Sequence, residues 1–221
     1  MPPTREETIK ASVVDKKITR LCHVTNLANL DSIIQVGLLS RSALESSRRP
    51  FIFNDTTRSD GYSDAICISI MHPNHSVFYI FRNKNPRAEW CVISLSPKIL
   101  WEKDCAFCYT NAASNEIRKC SIGSKKSAKM FEKMFEKKYS YTLTNNKLIK
   151  FEKREKERIE KYYPTDVQAE VLCFDNIEIS NIINISFHNV NTAILYRKKY
   201  ANINMLYAEY IFSDRIDYLR R

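Results

Sequence analysis

Two kinds of apolar run alternate along the chain. Residues 17–24 are rich in types that favour extended structure, and they lead at once into a stretch where Leu27, Leu30, Ile33 and Ile34 recur at helical spacing. Asn26 stands where an N-cap belongs, and Gly37 where a helix stops on a residue free of a side chain. A strand that turns directly into a short helix is therefore predicted near residue 25. Further β-branched and aromatic runs at 66–70, 77–81, 89–95, 169–174 and 182–187 predict strands, with a last strand or helix at 206–212. The middle differs. Residues 124–138 read as an amphipathic helix with Met130, Phe131, Met134 and Phe135 on its apolar side, and 147–162 as a highly charged helix. The prediction is an α+β domain over residues 1–221: a mixed central sheet, peripheral helices and a basic helical insertion at about 115–162.

Composition narrows the functional classes. The formal charge of +10 favours a polyanionic partner, and nucleic acid is the first candidate. Only three glycines occur, so neither a Gly-rich dinucleotide fingerprint nor a P-loop can be built. Seven cysteines without regular spacing fit a reducing compartment better than a disulfide framework. Cys105 and Cys108 have the spacing of a metal or redox pair, but no second pair follows and their neighbours read as a strand, so no metal is expected. No run is apolar enough to span a membrane, and residues 1–10 are polar rather than a signal peptide. A soluble, cytoplasmic protein is expected.

The junction near residue 25 is where chemistry concentrates. A strand ending in His23 and Thr25, followed by Asn29 in the helix, brings an imidazole, a hydroxyl and a carboxamide to a cleft edge where helix N–H groups also point. Such a corner can bind a nucleotide; the same residues can equally cap a helix around a half-buried histidine. In the insertion, Arg118, Lys119, Lys125, Lys126, Lys129, Lys133, Lys137 and Lys138 face few carboxylates and form either a phosphate-binding surface or a solvated face.

The ordered set His23, Thr25, Asn29, Leu30, Ile33, Gly37 and Leu38 resembles the opening of the DarT family of DNA-directed ADP-ribosyltransferase toxins. Two later segments match that family in the same order. Residues 54–60, with Arg58, followed by the apolar run to Ile70, resemble its arginine region, and Gln168 to Leu172 resembles its catalytic-glutamate segment. The resemblance implies an ADP-ribosyltransferase fold, NAD as co-substrate and no metal. It makes Glu170 and Arg58 catalytic, with His23, Thr25, Asn29 and Arg58 holding NAD. It implies transfer to a base of single-stranded DNA, and a cognate antitoxin able to remove ADP-ribose, macrodomain-like or a related hydrolase. Single strands suit the chemistry because the reacting ring atoms are otherwise inside a duplex.

Local patterns leave several points open. Glu170 opens a predicted strand and is either the catalytic carboxylate or an edge residue; Arg58 either contacts NAD or pairs with Asp55 or Asp60. Tyr162 and Tyr163, just before the glutamate segment, can stack on an unpaired base or seal a helix against the sheet. With Lys125, Lys126 and Lys129 they are the candidate nucleic-acid contacts. Asn111 to Ser114 is similar to a small-residue segment of some family members and belongs near the cleft. Residues 65–75 lack the aromatic, proline-rich strand of the thymine-directed branch, which leans the resemblance towards guanine. Transfer to RNA or protein, or a non-catalytic basic nucleic-acid-binding module, are the alternatives.

Overall fold

The structure, a computed structural model, describes residues 1–55, 57–136, 138–142, 148–152, 154 and 158–217, with 138–142 and 148–152 given by their backbone. Seven strands form the central sheet: β1 (Leu21–Asn26), β2 (Ile66–Ile70), β3 (Trp90–Leu95), β4 (Cys105–Cys108), β7 (Glu170–Cys173), β8 (Ile182–Phe187) and β9 (Met205–Tyr207). Their spatial order is β4-β7-β2-β1-β3-β8-β9, antiparallel throughout except for the β8–β9 pair. Every residue of β3 and β4 is buried, as expected where both faces of a sheet are covered. The fold is α+β with a mixed sheet.

Helix α1 (Arg5–Lys16) precedes the first strand, opened by a Thr4–Glu7 capping box and closed at Lys17 with φ 57°. That left-handed stop explains why the strand predicted from residue 17 begins only at Leu21. Residues 27–29 form a 3-10 turn and α2 (Leu30–Val36) follows, with the Asn26 side chain accepting from Ala28 N at 2.9 Å. Helix α3 (Arg41–Ser46) comes next. Residues 77–81, expected to be a strand, lie inside α4 (His75–Lys84). The Asn74 side chain caps it through Val77 N at 3.2 Å, and burial of Phe78 overrides the β preference of a Val-Phe-Tyr-Ile run.

The insertion also departs from the expected pair of helices. Helix α5 (Ile99–Glu102) precedes β4; within the insertion α6 (Asn115–Lys119) is followed by α7 (Ile122–Lys125) and α8 (Ala128–Lys133), and the last two stand where one long helix was expected. Serines 114, 121 and 127 each accept from a backbone N–H three residues on, so each opens a new turn and none lets a helix run through. Met130, Phe131, Met134 and Phe135 are buried as the pattern required. The predicted charged helix at 147–162 is not helical in its first part: β6 (Leu148–Glu152) pairs with β5 (Lys138–Thr142) as a separate two-stranded sheet, in keeping with the extended preference of Tyr139, Tyr141 and Thr142. Lys147, Lys153 and residues 155–157 of that prediction, and Lys137 of the preceding one, lie outside the described residues. Near the C-terminus α9 (Val190–Lys199) packs on β8 and β9. Residues 206–212 divide between β9 and a 3-10 turn, Glu209–Phe212.

Gly37 ends α2 with φ 82°, and a Cβ there would lie 2.3 Å from the Ile177 carbonyl oxygen. Leu38 and Ile177 exchange both backbone hydrogen bonds at 2.9 and 3.0 Å, so this approach is fixed on both sides. Gly37→Ala is expected to destabilise the protein by on the order of 2 kcal/mol, through combined strain and overlap. Urea unfolding should show a lower midpoint with an unchanged slope; a wild-type midpoint would contradict the close approach.

Candidate active site

Strand β1 pairs with β3 along all six of its residues, but with β2 only through Leu21 and Cys22. Residues 66–68 of β2 pair with β7 instead. From His23 onwards β1 and β2 part, and a cavity of about 270 Å³ opens between them. Its walls include His23 and Thr25 from β1, Cys67 from β2, Asn74 from the start of α4, and Glu170.

The parted edge of β1 is satisfied by side chains. The Asn54 carboxamide donates to Val24 O at 2.8 Å. Asn29 donates to Thr25 Oγ1 at 3.0 Å and to Ile52 O at 2.9 Å, and accepts from Ile52 N at 2.8 Å. Loop 51–54 is thereby docked where β2 leaves off. Thr25 is buried, and the hydrogen bonds of the Asn29 amide go to the protein. Both line the cavity, where they hold its shape.

His23 bridges the gap itself: Nδ1 lies 2.9 Å from the Cys67 carbonyl oxygen. Because a carbonyl only accepts, Nδ1 carries the proton, and in the neutral ring Nε2 is left as an acceptor. Burial, joined by the nearby Arg58 charge, holds the imidazole below its ordinary pKa and so neutral at pH 7.

Arg58 has a left-handed backbone, φ 44°. Its guanidinium donates to Cys67 Sγ at 2.7 Å, to Ala65 O at 3.2 Å and to Tyr62 O, and pairs with Asp60 at 3.2 Å. The Asp60 pairing anticipated from the sequence therefore exists, within the cavity wall rather than on an open loop. Arg58 Nε and Asn54 Oδ1, both buried in that wall, have no partner among the described residues.

Glu170, the first residue of β7, faces Cys108 in the ladder and accepts from Ala112 N at 2.9 Å through Oε2. Burial pushes its carboxyl up to about 7, Asp60 adding to the rise while the Ala112 N–H and Arg58 oppose it. Segment 111–114 is thus at the cleft, holding Glu170 through a backbone N–H.

The candidate nucleic-acid residues are placed differently from expectation. Lys125 is buried, its Nζ 3.1 Å from Tyr62 Oη and 4.9 Å from that ring's centre. It braces the loop that carries Arg58 and is not available to phosphates. Lys126 pairs with Asp104 and lies over Phe174; Lys129 is exposed. Tyr163 is buried beneath the Arg215 guanidinium at 4.9 Å, and Tyr162 packs beside it, so Tyr163 seals the fold and offers no platform for a base. The loop before Glu170 is clamped from both sides. Arg154 donates to Tyr163 O and Thr165 Oγ1 at 2.8 and 3.0 Å. Arg215, in a buried two-fold pair with Asp217, donates to Pro164 O at 2.8 Å.

Several wall residues had no assignment from the sequence. Phe51 and Phe53 meet edge to face at 4.4 Å, with the Arg41 guanidinium 4.0 Å over Phe53, and form an aromatic rim. An apolar triplet, 51–53, amid polar neighbours was the available signal. Asn74 lines the cavity floor while capping α4. Cys105 and Cys108 are buried three residues apart in β4, so their side chains leave the strand on opposite faces.

A family model described as "ssDNA thymidine ADP-ribosyltransferase, DarT" matches residues 22–212. The chain belongs to the DarT family. Its structure resembles Thermosipho africanus DarTG in complex with ADP-ribose, with a TM-score of 0.59 and 15% identity, covering 88% of this chain and 51% of that one. The present chain thus spans about half of that relative. It also resembles Thermus sp. 2.9 DarT in complex with NAD+, at a TM-score of 0.52 and 12% identity over 89% of this chain and 98% of that one. The same enzyme in complex with ADP-ribosylated ssDNA gives a TM-score of 0.51 at 12% identity, covering 89% and 97%. These likenesses show a DarT fold. No protein of curated function matches the chain by sequence. The family's description names thymidine, and the leaning towards guanine finds no support there.

The raised pKa of Glu170 has a measurable consequence. Between about 4.5, its ordinary value, and about 7, the folded state holds a proton that the unfolded state has lost. Its contribution to stability is therefore complete below pH 4.5 and is lost as pH rises through 7. Glu170→Gln cannot ionise, so the stability of this variant relative to wild type should grow across that window in urea titrations at successive pH values. A difference that stays constant with pH would mean that Glu170 titrates as an exposed carboxylate.

Proposed function

We propose that this chain transfers ADP-ribose from NAD to a base of single-stranded DNA in the cleft between β1 and β2. The observation that carries the reading is Glu170: a carboxylate with a pKa of about 7, held by a backbone N–H in the same cavity wall as Arg58 and His23. The unpartnered Arg58 Nε–H and Asn54 Oδ1 fit a ligand that both accepts and donates, as a dinucleotide does. His23 Nε2 accepts from a ribose hydroxyl, and Arg58 supplies positive charge to the phosphates. Thr25 and Asn29 act on NAD through the wall they build. In the reaction the bond from nicotinamide to ribose breaks and nicotinamide leaves with the bonding pair. A ring nitrogen of the base bonds to the ribose carbon, and Glu170 takes the proton that this nitrogen loses. The carboxylate also faces the positive charge that develops on the sugar.

Exposed Arg118, Lys119 and Lys129 supply positive surface for the strand. A protein with this activity modifies the DNA of the cell that makes it, which supports the reading of a cytoplasmic toxin paired with an antitoxin that removes ADP-ribose. No helix among the described residues is long and apolar enough to cross a membrane.

Single-turnover reactions with NAD and oligonucleotides containing each base in turn, followed by mass spectrometry, test the reading. Wild type should add one ADP-ribose, and the panel separates thymidine from guanine. Glu170→Ala should lower the rate by roughly 10²–10⁴-fold with little change in NAD affinity, because a base acts mainly in the transition state. Arg58→Ala should weaken NAD binding as well as turnover. Wild-type rates in Glu170→Ala would eliminate the mechanism.

A further inference from the structure

A second cavity, of about 260 Å³, adjoins the first around α4. Val77, Phe78 and Phe81 of α4 line the first cavity, and Arg82 lines the second. Trp90, Phe187 and Phe212 give the second cavity aromatic walls, and the start of α9 borders it at Asn189 and Thr192. Its polar groups are unequally used. Trp90 is 8% exposed, and among the described residues its buried Nε1–H has no acceptor; the buried Nε–H of Arg82 has none among them either. The Arg82 guanidinium lies 4.8 Å over the Phe78 ring and makes no ion pair among the described residues, although Glu89 lines the same cavity. Buried donors are normally satisfied, so two of them beside an aromatic cavity call for an acceptor from outside.

We propose that this cavity is a second nucleotide subsite, holding a nucleotide of the same single strand whose reacting base occupies the first. The inference rests on the DNA-directed reading above. A nucleotide supplies what the cavity lacks: phosphate oxygens as acceptors for Arg82, and a flat face for the aromatic walls. Stacking of this kind tolerates any base, which suits a site that positions the strand without choosing the target. The two cavities share a wall. Phe81 lines the first and stacks on Trp90 of the second, with ring centres 6.3 Å apart and planes 14° from parallel. Filling the second cavity therefore settles the aromatic wall of the reacting cleft.

The chain contains two tryptophans, so Trp101→Phe leaves Trp90 as the sole indole reporter. In that background Trp90 emission should change on adding a dodecanucleotide and stay constant with a trinucleotide. Arg82→Gln should weaken dodecanucleotide binding roughly tenfold and reduce its salt slope by about 1, leaving trinucleotide and NAD affinities unchanged. Thr192→Tyr, which blocks the cavity from α9 without touching Arg82, should weaken the same long-strand binding and serves if Arg82→Gln does not fold. Unchanged dodecanucleotide affinity in the folded variants overturns the subsite. A Trp90 response to free AMP with none to DNA also overturns it, reassigning the cavity to a free nucleotide. If wild type modifies oligonucleotides and Arg82→Gln does so identically at every strand length, this inference alone fails. If wild type modifies none, the parent reading fails and the subsite with it.

Discussion

A sheet that opens in its middle must satisfy two backbone edges that no longer meet, and here the hydrogen bond from His23 Nδ1 to the Cys67 carbonyl spans that gap. It joins β1 to β2 just past their last ladder pair, where backbone pairing has ceased. The cleft depends on this: without a bridge the strands would either close up or leave polar groups buried and bare. The same bond fixes the tautomer, so one contact both sets the width of the opening and leaves Nε2 free of the proton.

The rest of the wall extends that solution. Asn29 and Asn54 use carboxamides as surrogate peptide groups to dock loop 51–54 on β1, and the loop then presents aromatic rings to the cavity. On the other side Arg58 is held by carbonyls, a thiol and Asp60, and Glu170 by the Ala112 N–H with the Asn74 side chain beside it. The contrast matters for chemistry. Arg58 is over-determined in position and keeps a fixed charge, whereas Glu170 is lightly solvated, which is the condition for a carboxyl to exchange a proton near neutrality.

Much of this was legible in the sequence where local and tertiary demands agree. The junction of β1 with its helix and the strands at 66–70 and 182–187 are examples, because spacing and capping there specify the same outcome as packing, whereas Arg58 and Glu170 were singled out by the family resemblance. Legibility failed where a capping residue outvoted a periodic run. Asn74 turned an apparent strand into α4, and Ser127 divided an apparent helix. It failed again for charge, since a lysine run does not reveal which member is buried: Lys125 is committed to Tyr62 while Lys129 faces solvent. The contacts of Ala112 and Asn29 were beyond reach for a different reason. They join residues 58 and 23 positions apart through backbone groups, and backbone groups carry no sequence signature.

The clamp of Arg215 on Pro164 also orders events in time. Its guanidinium lies 51 residues beyond the loop it holds, and the β4–β7 pair that seats Glu170 is complete much earlier in the chain. During synthesis the sheet around the glutamate can assemble before the segment that restrains the preceding loop has left the ribosome. Most of the cleft can therefore exist on a nascent chain that still lacks this restraint. This geometry separates folding of the scaffold around Glu170 from restraint of the loop before it by the time it takes to translate those residues.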